Sequence, residues 1–398
     1  MASPASELLV HQAAIHTNAA HFAALTGGRL LAVVKADAFG HGHAEAARAV
    51  LDAGAGWLGV ASVEEALALR AAGIRAPVLS WLNPLDADLG AAIAAEVDLA
   101  VASPALLGAV SRAAILQRRR ARVHLHLDLG MARDGCPRGG WSALCELAHE
   151  LERQDAVRVV GIMGHLSCAD VVGHPQTRLE RQRFVNAVLA ARRRRLRPAV
   201  VHLAATAATV TGEGAGFGLH RIGAGLFGID PSGTSAALRP ALSLTTRVAG
   251  ARELEPGGGV GYGLEHRAER RTNLALLPLG YADGLPRSAA GRAEVLVRGR
   301  RCPLVGRFSM DMVVVDTGGE QVRPGEPVTV FGPGDDGEPT VADWAGWAGT
   351  IPHEIVTRIG SRVARVARTT GSTAAARAVG STGAARAAGS TAVRTAGG

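Results

Sequence analysis

Short runs of aliphatic and β-branched residues recur through the first half of the chain, each followed by a stretch in which alanine, leucine, arginine and glutamate return at helical spacing. The apolar runs fall at 30–36, 57–63, 77–81, 99–103, 123–129, 157–165, 200–205 and 221–229, and an amphipathic segment at 7–25 precedes them. Stretches 64–72 and 176–193 are the plainest of the intervening helices. Strand-then-helix order implies a parallel sheet with right-handed crossovers. About eight such units in a little over 200 residues fit a closed (β/α)₈ barrel. An open doubly wound sheet is the alternative, but no G-x-G-x-x-G follows the first run.

Near 231–240 the pattern changes to turn residues, and from 241 onward the chain is mostly β. Runs at 294–297, 312–315 and 327–331 are separated by Gly/Pro/Asp turns such as 333–337. The predicted organisation is α/β: a barrel over 1–235, then a mainly antiparallel β domain over 236–364. From 365 the composition collapses to small residues and arginine, with Gly-Ser-Thr returning at Gly371, Gly380 and Gly389. That segment lacks the large apolar side chains of a core and reads as a disordered tail over 365–398.

Composition narrows the class. The 398 residues are 47% hydrophobic and 20% charged, enough to build a core and too apolar for general disorder. No uncharged stretch reaches the ~20 apolar residues of a membrane span, and the first residues lack the pattern of a secretory signal, so no membrane association and a cytoplasmic address are expected. The four cysteines show no C-x-x-C spacing and read as reduced thiols, with no metal site implied. The net charge of +8 includes five arginines beyond 364, and the run at 192–195 ends a predicted helix, where cations suit the dipole. With no aromatic stacking platform beside either, no nucleic-acid partner is expected.

One count points to chemistry. Lys35 is the sole lysine in a chain crowded with arginine, and it stands at the end of the first apolar run. At the carboxyl end of a barrel strand an amine is partly desolvated, which lowers its pKa and frees it for a Schiff base with an aldehyde cofactor or carbonyl substrate. Arg133 follows the fifth run, His165 and Thr206 close the sixth and seventh, and Arg221 sits at the eighth, so unusual polar residues recur at one end of the predicted barrel.

In order along the chain, AVVKADAFGHG, GHLSCAD, HRIGAGLFG, VGYG, LPLGYADG, GRFSMD and IPHEIVTRIG resemble the bacterial alanine racemases, from about Leu8 to Arg362. The resemblance implies pyridoxal 5′-phosphate on Lys35, alanine as substrate, and a homodimer with shared active sites that supplies D-alanine for peptidoglycan. It also implies that Tyr262, from the partner subunit, is the second base, with Lys35 and Tyr262 on opposite faces of the substrate α-carbon. His165 and Arg221 match residues that form a hydrogen-bonded chain to this tyrosine, and Arg221 also matches the residue that faces the cofactor's pyridine nitrogen. Thr206 and the amides of Ile222 and Gly223 match the phosphate cradle, and His353 stands where a tyrosine commonly reaches that phosphate. Arg133 and the Met310 amide match the grip on the substrate carboxylate, and Tyr281 matches an entrance residue.

Four positions depart from the family pattern. Phe39 and His353 replace tyrosines at the phosphate, and Ala205 replaces an asparagine beside Thr206. His126 stands where many members have a lysine, often carbamylated, that orients the carboxylate-binding arginine. The sequence leaves open a broader amino-acid or serine racemase. A non-catalytic cofactor carrier on the same barrel would normally lack the second domain, in which Tyr262 and Met310 lie.

Overall fold

The computed structural model describes residues 5–368. Strand β1 (Ser6–His11) and the helix Gln12–Leu25 lead into eight parallel strands: β2 (Leu30–Val33), β3 (Trp57–Val60), β4 (Val78–Ser80), β5 (Val97–Val101), β6 (Ala121–His126), β7 (Val157–Met163), β8 (Val200–Ala205) and β9 (Leu219–Ile222). They close into a barrel through pairing of β9 with β2, Leu30 opposite His220. Nearly every strand position is buried, as a sheet covered on both faces requires. Helices are stopped and started by local chemistry: Ser62, Asp88 and Ser103 each accept a backbone N–H at the first turn of the following helix.

The rest of the chain forms β10 (Leu242–Arg247), β11 (Gly250–Leu254), a small hairpin of β12 (Gly259–Val260) and β13 (His266–Arg267), β14 (Thr272–Leu277), β15 (Glu294–Val297), β16 (Arg300–Val305), β17 (Val313–Gly318), β18 (Pro327–Phe331) and β19 (Ala364–Arg368). A nine-stranded sheet runs β11-β14-β17-β16-β15-β18-β10-β1-β19, antiparallel except for the final pair.

Two expectations change. The amphipathic opening segment is a strand followed by a helix, and the strand leaves the barrel to pair with β10 and β19. The first residues therefore belong to the second sheet rather than to the barrel. The tail expected from 365 is contradicted at its start: Arg365 to Arg368 complete β19 beside β1, because strand pairing is made by backbone and needs no large side chain. Residues 369–398, the rest of the predicted tail, lie outside the described residues. No helix among the described residues is long and apolar enough to cross a membrane.

Candidate active site

The carboxyl ends of the barrel strands surround a cavity of about 580 Å³ whose walls include Lys35, Arg133, His165, Thr206, Arg221, Gly223 and His353. Lys35 follows β2 and opens an unusual turn: Ala36, Asp37, Ala38 and Phe39 all have φ between 52° and 55°. Left-handed backbone costs an L-residue roughly 1–2 kcal/mol, so four in succession need support. Glu65 accepts N–H bonds from Ala36 (2.6 Å) and Ala61 (2.8 Å), tying the ends of β2 and β3. His41 Nδ1 bonds the Ala38 carbonyl at 2.9 Å, and Arg365 Nε of β19 donates to Gly40 O at 3.0 Å. At Gly40 a Cβ would lie 2.6 Å from Val356 O, so only glycine admits that approach. The position of Lys35 is thus set by both sheets. Its pKa is lowered by burial first and then by the charge of Arg133, and its Nζ lies 6.0 Å from the centre of the Trp81 ring.

Arg221 is 5% exposed, and burial alone pushes its pKa down to about 10. Nη1 donates to His202 Nδ1 (2.9 Å) and His202 O (3.1 Å). Nη2 donates to Gly164 O (2.7 Å), Leu203 O (3.2 Å) and His165 Nδ1 (3.2 Å). His165 is held neutral, its pKa pushed to about 3 by burial and then by Arg221. Since a guanidinium only donates, His165 carries its proton on Nε2.

Another part of the cavity wall fits a phosphate. Thr206 Oγ1 gathers the amides of Gly223 (3.2 Å) and Gly225 (3.3 Å), and Gly223 has little room for a side chain, since a Cβ there would lie 3.0 Å from Phe39 Cζ. His353 Nδ1 is buried without a hydrogen-bond partner. An anionic oxygen would satisfy that orphaned atom and find a hydroxyl and amides beside it. A lowered-pKa lysine in the same cavity suits an aldehyde. The residues therefore fit pyridoxal 5′-phosphate. Asp134, next to the exposed Arg133, takes Gly135 N–H at 2.7 Å and lies 3.4 Å from His126 Nδ1, which holds its carboxyl below the usual range.

Not all the expected residues meet. Tyr262 (70% exposed), Met310 (53%) and Tyr281 (40%) belong to the part of the chain that builds the second sheet and do not line the cavity. Tyr281 and Met310 are neighbours, with Tyr281 N–H donating to Ser309 O (3.2 Å) and Ala282 N–H to Met310 O (3.0 Å). Ile222 is buried in β9 and does not line the cavity either. Conversely, the sequence reading passed over Glu65, Asp98, His124 and His202. The signal for His202 was present, a single imidazole inside the otherwise apolar VVHLAA strand, where it must find a partner, whereas His124 shares its strand with Arg122 and His126.

Comparisons with known proteins agree with this geometry. Residues 10–231 match the model of the alanine racemase N-terminal domain and residues 241–367 that of the C-terminal domain. The chain is 47% identical to the alanine racemase of Frankia casuarinae over 84% of this chain and 88% of that one, and 45% identical to that of Thermobifida fusca over 85% and 91%. The crystal structure of alanine racemase from D-cycloserine producing Streptomyces lavendulae superposes with a TM-score of 0.90 at 38% identity, covering 93% of this chain and 98% of that one. The chain belongs to the alanine racemase family, pyridoxal 5′-phosphate enzymes that interconvert L- and D-alanine.

Proposed function

We propose that racemisation is carried out by Lys35 on one face of the substrate α-carbon and by Tyr262 of a second copy of the chain on the other. The observation that carries this reading is the chain's sole lysine, of lowered pKa, in a cavity with Arg221, His165 and a phosphate-shaped pocket. When bound, pyridoxal 5′-phosphate supplies the electron sink that acidifies the α C–H. Lys35 Nζ, its protonated form disfavoured by burial and by Arg133, takes or returns that proton. A tyrosine has an ordinary pKa of about 10 and needs help to serve near neutrality. His165, with Nδ1 occupied by Arg221, presents Nε2–H to the phenolate oxygen.

Arg133 and the Met310 amide hold the substrate carboxylate, and Thr206, Gly223, Ile222 and His353 serve the cofactor phosphate. Tyr281 narrows the entrance. The exposure of Tyr262, Tyr281 and Met310 supports a homodimer in which each copy completes the other's site. We place the enzyme in the cytoplasm, supplying D-alanine to peptidoglycan. A racemisation assay of the purified, cofactor-supplemented protein against a panel of amino acids tests the reading. It predicts alanine as the preferred substrate and complete loss of activity in Lys35→Ala; activity retained by that variant would overturn it.

A further inference from the structure

A buried polar chain runs from Arg221 through the barrel interior, and its direction is fixed at every link. Arg221 Nη1 can only donate, so His202 Nδ1 accepts and the His202 proton sits on Nε2. That N–H donates to His124 Nδ1 at 2.9 Å, which leaves the His124 proton on Nε2, facing Asp98 Oδ2 at 3.2 Å. Arg122 closes the far side of Asp98 with bonds of 2.5 and 3.1 Å. Asp98, His124, His202 and Arg221 are each no more than 5% exposed.

Neighbouring structure is shaped for this chain. His124 on β6 reaches His202 on β8 by crossing β7 at Gly161, where a Cβ would lie only 2.2 Å from His124 Nδ1. Asp98 lies at the other end of the barrel, in the wall of a cavity formed with Arg70, Arg119, Arg120 and Arg122. Arg221 makes no ion pair with a carboxylate among the described residues, yet a buried charge needs compensation.

We propose that Asp98 is a positioning residue for racemisation, acting through His124 and His202 as the remote counter-charge that orients Arg221. The carboxylate polarises both imidazoles and strengthens His202 Nδ1 as an acceptor. The Nη groups are then spent on protein acceptors, and Nε–H is the donor left without one among the described residues. This inference rests on the reading of Arg221 as the group that faces the cofactor ring.

The first test needs no variant. In ¹⁵N-histidine-labelled full-length protein, His124 and His202 should both be neutral Nε2–H tautomers, and an Nδ1–H signal from either would overturn the proposal. The second uses Asp98→Asn, which removes the charge, and Gly161→Ala, whose methyl displaces His124 without touching Asp98 or the cavity. The readouts are kcat, the KM for alanine, and pyruvate formed per racemisation turnover. Pyruvate reports the side reaction in which the amino group of alanine passes to the cofactor aldehyde carbon in exchange for its oxygen.

Both variants should lose about tenfold in kcat, with KM within about twofold, and should release more pyruvate per turnover. If Arg221→Glu raises pyruvate while both variants behave as wild type, the remote counter-charge is refuted. If Arg221→Glu also leaves pyruvate unchanged, the reading of Arg221 falls and the inference with it.

Discussion

Arg221 Nη2 donates to His165 Nδ1 at 3.2 Å, so a permanently charged group and a neutral imidazole share one bond at the wall of the cavity. Burial first and then the arginine keep His165 uncharged, and His165 in turn offers its remaining N–H outward. An arginine beside a pyridine nitrogen disfavours protonation of that nitrogen, which limits how far the ring can accept charge from the substrate.

Replacing Arg221 with glutamate reverses this preference. The Arg221→Glu enzyme should form at least about tenfold more pyruvate per racemisation turnover than the wild type, a change of one tenfold step in relative barrier. Coupled detection of pyruvate alongside D-alanine measures the ratio, and equal ratios in the two proteins would contradict the account.

Cofactor retention should respond to residue 39. Phe39 is 7% exposed, packs on Phe227 with ring centres 5.1 Å apart, and directs Cζ toward Gly223 in the phosphate pocket. A hydroxyl added there in Phe39→Tyr can bond the phosphate, and a hydrogen bond to a charged group is worth roughly 1.5–3 kcal/mol. Dissociation followed by dialysis and absorbance should slow about tenfold or more; an unchanged rate would show that the hydroxyl finds no phosphate.

Acid should weaken the fold in a defined window. Burial pushes His41 and His165 to about 3 and lowers His202 as well. Below about 6.5 the unfolded chain binds protons that the folded chain refuses, so stability falls as pH falls. The contribution is complete above that pH, and each unit of acidification below it removes about 1.4 kcal/mol per histidine held neutral. Urea midpoints should hold level from about pH 7.5 to about 6.5 and then drop toward about pH 5; a profile flat down to about pH 5 would contradict the buried, neutral assignments.

Strand β19 should matter and the residues after Arg368 should not. Ending the protein after Val363 removes β19 and the bonds from Arg365 to Gly40 O and Ile359 O, both 3.0 Å, which brace the turn after Lys35. That truncation should cost about 1–3 kcal/mol of stability and part of the activity, whereas truncation after Arg368 should change neither. A chain ended at Val363 with a wild-type urea midpoint would show that the brace is dispensable.

Seven barrel strands were legible because each is an apolar run, and Lys35 because its amine ends the first of them. The eighth, expected at 221–229, is instead Leu219–Ile222, since His220 and Arg221 break its apolar pattern and the apolar Ala224–Phe227 forms a 3₁₀ turn. Strand β1 was not, since Leu8, Leu9 and Val10 merge into the helix beginning at Gln12, and its partner Leu242–Arg247 lies far along the chain. Strand β19 hid in a small-residue segment because backbone pairing leaves no apolar signature. The path from Arg221 to Asp98 joins β9, β8, β6 and β5, and only closure of the barrel brings those strands around one interior. Tyr262 is named from its motif alone; in the structure it is 70% exposed and does not line the cavity.

Subunit complementation tests the shared site most directly. Lys35→Ala and Tyr262→Phe should each be nearly inactive alone. Dissociated, mixed in equal amounts and reassembled, half of the dimers become hybrids in which one site regains both bases, returning about a quarter of wild-type racemisation. A mixture that forms hybrids yet stays as inactive as its components would contradict a lysine and a tyrosine drawn from different copies.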